Sequence, residues 1–296
     1  MDIRVLQYFL TVAREESITK AAEALHMTQP PLSRQLKDLE EELGKQLLIR
    51  GGKKITLTED GMLLRKRAQE LVDLMEKTKA EMKASDQNIS GEIYIGSGET
   101  DAISYMAHAA ESLQKNGHAI HYHLYSGDAE HVTQRLDKGL IDFGLLIEPV
   151  DIEKYDYMKL PVKDRWGVLM QKKSPLSEKE GITPEDLWDK PLIVSHQVAA
   201  SSEMSGWFKT DISKLNIVAT YDLIFNASHF VKRGLGYVIA LDRLINTTGD
   251  SELCFRPLDP TLDAGLCIVW KKYQVFSRAS ELFIQQLQKE LEINTP

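Results

Sequence analysis

Apolar residues recur at helical spacing through the first ninety positions, and the polar residues between them mark where each helix begins. Over 29–43, Leu32, Leu36, Leu39 and Leu43 stand 4, 3 and 4 apart and predict one buried stripe. Thr28 holds the N-cap position of that helix, with Pro30 and Pro31 in its first turn, where a missing N–H costs least. Ahead of it, Ser17 caps a shorter alanine-rich helix over 18–25, and His26 and Met27 form the turn between the two. Pro30, Arg34 and Lys37 point away from the stripe, while Gln29 and Ser33 flank it. Polar groups thus gather at the N-terminal end of the second helix, and the acids Asp38, Glu40, Glu41 and Glu42 at the other. A helix that enters a DNA major groove N-terminus first is built this way.

The pattern then changes period. Residues 47–50 and 55–57 read as two short strands around Gly51, Gly52, Lys53 and Lys54, a hairpin with glycine at its turn. Between Gly44 and Thr58 there are four cations, Lys45, Arg50, Lys53 and Lys54, and no acid. A basic hairpin beside a recognition helix supplies phosphate contacts, which add affinity but little sequence information. A helix pair alone also occurs in proteins that bind only proteins; the hairpin moves the reading to DNA.

These residues carry a resemblance. Phe9, the run Ser17-Ile18-Thr19-Lys20-Ala21-Ala22, Leu25, Thr28-Gln29-Pro30, Leu32-Ser33, Leu36, Leu39-Glu40, Leu43-Gly44, Leu47, Arg50, Leu57-Thr58 and Gly61 are similar to the winged helix-turn-helix of the LysR-type transcriptional regulators. Leu48 and Asp60 depart from it, where that family usually has phenylalanine and alanine. The resemblance implies that Gln29, Pro30, Ser33 and Arg34 approach bases and phosphates, while the hairpin cations, Arg50, Lys53 and Lys54 among them, hold the backbone; Lys37, pointing outward on the same helix, is a further DNA-binding candidate. It also implies a domain over 1–58, a dimerising linker helix and hinge over 59–90, and an effector-binding body over 91–296.

Thr58, Glu59 and Asp60 cap and start a long helix running to about Ala84. Its positions Leu64, Ala68, Leu71, Met75 and Met82 form a heptad-like seam that two copies of the chain would bury. Residues 85–91 are polar, end in glycine and read as a hinge. Beyond them strands and helices alternate, which predicts parallel sheets covered by helices. The predicted strands lie at 92–96, 121–125, 140–147, 167–170, 191–195, 218–220, 237–240 and 266–270, with a final helix over 277–291. The fold class expected is therefore α plus α/β: a winged head, a long helix and a two-lobed body. The family resemblance likens that body to a periplasmic binding protein, with lobe I at 91–161 and 265–296 and lobe II at 162–264. The crossovers would fall near Pro161-Val162-Lys163 and Asp263-Ala264-Gly265.

Open α/β sheets bind ligands where strands end and helices begin. That rule and the family register select Ser97, Glu99, Thr100, Ser126, Ser195 and Asn226 as effector-binding residues. Glu99 and Asp101 would repel an anionic effector unless a cation offsets them; alternatively Glu99 faces solvent.

Composition adjusts this picture in a few places. The net charge of −8 looks wrong for a DNA binder, but residues 1–89 carry 15 basic and 15 acidic side chains, so the whole excess lies beyond them. Cys254 and Cys267 do not form a disulfide framework, and a redox role is disfavoured because Cys267 sits in an apolar strand. His121 and His123 alternate on one strand face, a spacing that suits a metal but is commoner for satisfied histidines. Nucleophile-elbow, phosphate-loop and dinucleotide patterns are missing, so an enzyme is the weaker reading and no cofactor is expected. No apolar run reaches a membrane span, and no signal peptide opens the chain, which leads to a cytoplasmic expectation. The partners expected are double-stranded DNA, a small effector and further copies of the chain, as a dimer through the long helix and, by the resemblance, a tetramer.

Overall fold

The helix pair begins with a correction to its capping. In the computed structural model, which describes residues 1–51, 54–83, 90–199 and 201–293, α1 spans Ile3–Glu15, α2 Ile18–Ala24 and α3 Gln29–Leu43. Ser17 caps α2, accepting from the Lys20 N–H at 3.4 Å. Thr28 occupies the N-cap of α3, but its side chain makes no capping bond. A cap oxygen needs the N–H of the second or third helical residue, and here those residues are Pro30 and Pro31, which have none. At the other end Gly44 takes φ 63° and closes the helix in the left-handed region.

Leu32, Leu36 and Leu39 are buried with Phe9, Val12, Ala21 and Ala22 in one small core. Leu43, predicted to continue the stripe, is 39% exposed. The hairpin strands are β1, Leu48–Gly51, and β2, Lys54–Leu57, paired antiparallel. The long helix α4 spans Glu59–Lys83, and the Gly61 N–H donates to Thr58 Oγ1 at 3.0 Å. Gly61 is required there: a Cβ would lie 2.2 Å from the Leu47 carbonyl oxygen.

The predicted seam on α4 divides. Ala68 is fully buried and Leu64 packs against the head core, whereas Leu71, Leu74 and Met82 are exposed. The first two positions serve the head, so the free apolar face is shorter than the heptad reading and begins near Leu71. Of the proposed hinge, 85–89 lie outside the described residues, and Ser90 and Gly91 belong to the next strand.

The chain divides into two units, Met1–Lys83 and Ala84–Pro296. In the second, β3 (Ser90–Ser97), α5 (Ile103–Lys115), β4 (Ala119–Ser126), α6 (Ala129–Asp137), β5 (Phe143–Ile147) and β6 (Tyr155–Lys159) build the first lobe. Then follow β7 (Asp164–Gln171), β8 (Leu192–Ser195), α7 (His196–Ala199), α8 (Ser202–Phe208), β9 (Ile217–Tyr221) and α9 (Ile224–Lys232). They are followed by β10 (Tyr237–Leu241), β11 (Leu253–Pro257), β12 (Asp263–Ala264), β13 (Leu266–Lys271) and α10 (Arg278–Ile293). One sheet has the order β4-β3-β5-β13-β6; the other runs β11-β7-β10-β8-β9, with β12 beside β7. The C-terminal strand and helix thus return to the first lobe.

Both sheets are mixed, not parallel as the alternation suggested. β3 runs parallel to β4 and β5, and β8 parallel to β9 and β10, but β13 and β7 are antiparallel to their neighbours. These two strands follow the two crossovers, so each enters its sheet from the other lobe and not from a covering helix. β5 is buried at every position because α5 and α10 cover one face of its sheet and α6 the other. β6 and β11 escaped the sequence reading: β6 reads Tyr-Asp-Tyr-Met-Lys and has only Tyr155 buried, as an edge strand with little core to serve.

Candidate nucleic-acid interface and effector cleft

On the head, burial of Leu32, Leu36 and Leu39 turns the rest of α3 outward: Gln29, Pro30, Arg34 and Lys37 are exposed and Ser33 is half-buried. Lys37 pairs with Glu41 one turn on, at 3.2 Å. Lys54, at the start of β2, pairs with Glu16, and the Glu16 carbonyl accepts the Ile55 N–H at 2.9 Å. Glu16 can do both because it ends α1 at φ 50°. Exposed pairs of this kind are weak and screened by salt, so both lysines remain free to exchange a carboxylate for a phosphate. Lys53 and the Arg50 side chain lie outside the described residues.

Sequence reasoning missed what joins the hairpin to α3. Glu40 was grouped with the solvated acids, yet its Oε1 accepts from the Leu47 N–H at 2.8 Å and the Leu48 N–H at 3.0 Å. The hairpin strand therefore starts on a carboxylate of α3.

Between the two lobes of the body lies a cleft that opens to solvent. The loop after β3 and the loop after β4 bring Gly98, Glu99, Gly127 and Asp128 to it from one side. Ser195, His196 and Gln197, at the β8–α7 junction, and Tyr221 to Ile224, between β9 and α9, line the other. Ile147, Trp166, Leu241 and Leu244 add apolar surface. Of the six predicted effector residues, Glu99 and Ser195 line this cleft. Ser97, Thr100 and Ser126 border a neighbouring cavity that also touches Glu99. Asn226 is exposed in the first turn of α9 and lines neither cavity; Leu223 and Ile224, just before it, line the cleft.

Glu99 does not simply face solvent. It is half-buried and its Oε2 accepts the Ile224 N–H at 2.5 Å, joining the first lobe to the N-terminus of α9. Burial pushes its carboxyl up, and that N–H only partly offsets the cost. Thr100 is buried, with its hydroxyl donating to Asp164 and accepting the Ala102 N–H at 3.1 Å. That hydroxyl is committed within the fold, which removes the free polar group expected of it. Asp164 is fully buried at the first crossover. Burial raises its carboxyl, while Thr100 and Arg243 act the other way. Arg243, held at φ 63°, reaches Asp164 at 3.0 Å and Asp101 at 3.1 Å. Arg243 therefore ties the second lobe to the loop after β3, and no local pattern marked it.

The remaining chemistry is quiet. His123 stacks on Tyr94 with centroids 4.3 Å apart and lies 3.4 Å from Glu92. No group of three or more metal-ligating side chains occurs among the described residues. Both cysteines are buried and free, and burial pushes the Cys267 thiol up to about 11. No described helix is long and apolar enough to cross a membrane.

Comparison with known proteins agrees with this architecture. Residues 3–62 match the family model described as bacterial regulatory helix-turn-helix protein, lysR family, and residues 86–292 match the LysR substrate binding domain. The HTH-type transcriptional regulator YvbU of Bacillus subtilis is 27% identical over 98% of this chain and 99% of its own. The Hca operon transcriptional activator HcaR of Escherichia coli is 27% identical over 92% of each chain. Among solved structures, full-length CbnR complexed with target DNA superposes with a TM-score of 0.76 at 18% identity, covering 98% of this chain and 100% of that one.

Proposed function

The chain belongs to the lysR family of bacterial helix-turn-helix regulators, and on that premise we propose that α3 and the hairpin read an operator while the interlobe cleft senses a small effector. It is a DNA-binding transcriptional regulator with an effector-binding body. The exposed N-terminal half of α3 carries the first part of the reading: Gln29, Pro30, Ser33 and Arg34 meet base edges and nearby phosphates, and Lys37, Arg50, Lys53 and Lys54 meet the backbone. CbnR has been crystallised with its target DNA, and the same use of the head is assigned to this chain. Two copies pair through the α4 face containing Leu71, Leu74, Met75 and Met82, whose exposure supports a partner there. Pairs of dimers complete the assembly by analogy with the family. The division into a head at 1–58, a linker over 59–90 and a body over 91–296 follows the same reading. Acting on DNA places its work in the cytoplasm, and no catalytic step is part of it.

Sensing rests on Glu99 and Ser195, which line the cleft from different lobes. A ligand that favours one lobe arrangement needs a coupling of only about 1–3 kcal/mol to change operator occupancy severalfold. Electrophoretic mobility shifts with the operator and with random DNA test the head. Arg34→Ala should lose about 1–3 kcal/mol of operator preference, whereas Lys54→Ala should weaken all sequences alike and lower the salt slope by roughly one. Unchanged discrimination in Arg34→Ala would refute the assignment of α3.

A further inference from the structure

We propose that the interlobe cleft selects an effector bearing a cationic amine and rejects carboxylates, an inference that rests on the cleft being the effector site. A helix N-terminus is the place where an anionic ligand is normally held. At α9 that place is filled from within, because the Ile224 N–H already donates to Glu99 at 2.5 Å. A carboxylate ligand would have to displace Glu99 and then lie beside it.

The other charges point the same way. The charged side chains lining the cleft, among the described residues, are Glu99, Asp128, Asp222 and one histidine, His196, with no lysine or arginine. The nearby cation, Arg243, is spent on Asp101, Asp164 and Asp242. Among the described residues no cation pairs with Glu99, and burial pushes its carboxyl up. An amine in the cleft supplies the missing charge. Trp166 and Tyr221 add ring surface to the same lining, and aromatic faces attract cations.

The test uses the full chain and one ring in three charge states: benzylamine, benzyl alcohol and benzoate, with binding followed by ligand-observed NMR. Glu99→Gln removes the charge but keeps an oxygen for the Ile224 N–H. Gln197→Trp fills the cleft from its second-lobe wall. The expected result is benzylamine binding tightest, at least about tenfold weaker in Glu99→Gln, and lost in Gln197→Trp. Benzoate binding tightest, and lost in Gln197→Trp, would overturn the amine preference and leave the cleft as the effector site. Binding of all three unchanged by Gln197→Trp, or no binding by any, would overturn the cleft assignment and the amine preference with it.

Discussion

Replacing Glu40 with alanine removes the carboxylate oxygen that holds the first hairpin strand to α3. Oε1 accepts both the Leu47 and the Leu48 N–H, at 2.8 and 3.0 Å, and hydrogen bonds to a charged group are worth about 1.5–3 kcal/mol each when well shielded. Glu40 is only half-buried, so water can replace part of the loss, and about 2 kcal/mol for the pair is a fair expectation. Glu40→Gln keeps a carbonyl oxygen in the same place and should cost less than about 1 kcal/mol. Amide hydrogen exchange in peptides spanning 44–58 reads this directly. At about 1.4 kcal/mol per factor of ten, the Leu47 and Leu48 amides should exchange roughly thirtyfold faster in Glu40→Ala and at most about fivefold faster in Glu40→Gln. On the proposed role of the hairpin, affinity for DNA of any sequence should fall in Glu40→Ala, since a loosened hairpin holds its lysines less firmly. Wild-type exchange at both amides in Glu40→Ala would refute the claim that the recognition helix anchors the hairpin.

Three other outcomes follow from the same structure. Leu71→Lys places a charge on the exposed apolar face of α4, and sedimentation of segment 1–89 should change from dimer to monomer; a wild-type segment that is already monomeric would show that the face has another use. Thr100→Val leaves Asp164 buried without its hydroxyl partner, so the body should lose about 1–3 kcal/mol of stability to denaturant, while Thr100→Ser should be close to wild type. Burial raises the folded-state carboxyl of Glu99, so the folded chain holds that proton to higher pH than the unfolded chain. Wild-type stability therefore falls as pH rises from the unfolded value through the folded one, relative to Glu99→Gln. Melting curves of the two proteins should show the difference growing across that acid window and levelling above it; a flat difference would mean that Glu99 is not desolvated.

The head was legible in the sequence because its determinants are local. A leucine stripe at 4 and 3, the Ser17 and Thr58 caps and the antiparallel hairpin all depend on residues within a turn or two, and each appears where expected. Even the missing Thr28 cap could have been read locally, from two prolines that lack the donors it needs. Tertiary structure decided what depends on distant neighbours. It packed Leu64 against the head core and buried Ala68, turned Glu40 from a solvated acid into an anchor, and reversed β7 and β13 by delivering them from the opposite lobe. The cleft shows the limit most clearly. Glu99 meets Ile224 across 125 positions and Arg243 meets Asp101 across 142. No periodicity spans such separations. The strand ends told where a ligand could sit, but which side chains face it, and that Thr100 is already engaged while Asn226 points elsewhere, was settled only when two crossovers brought the lobes together.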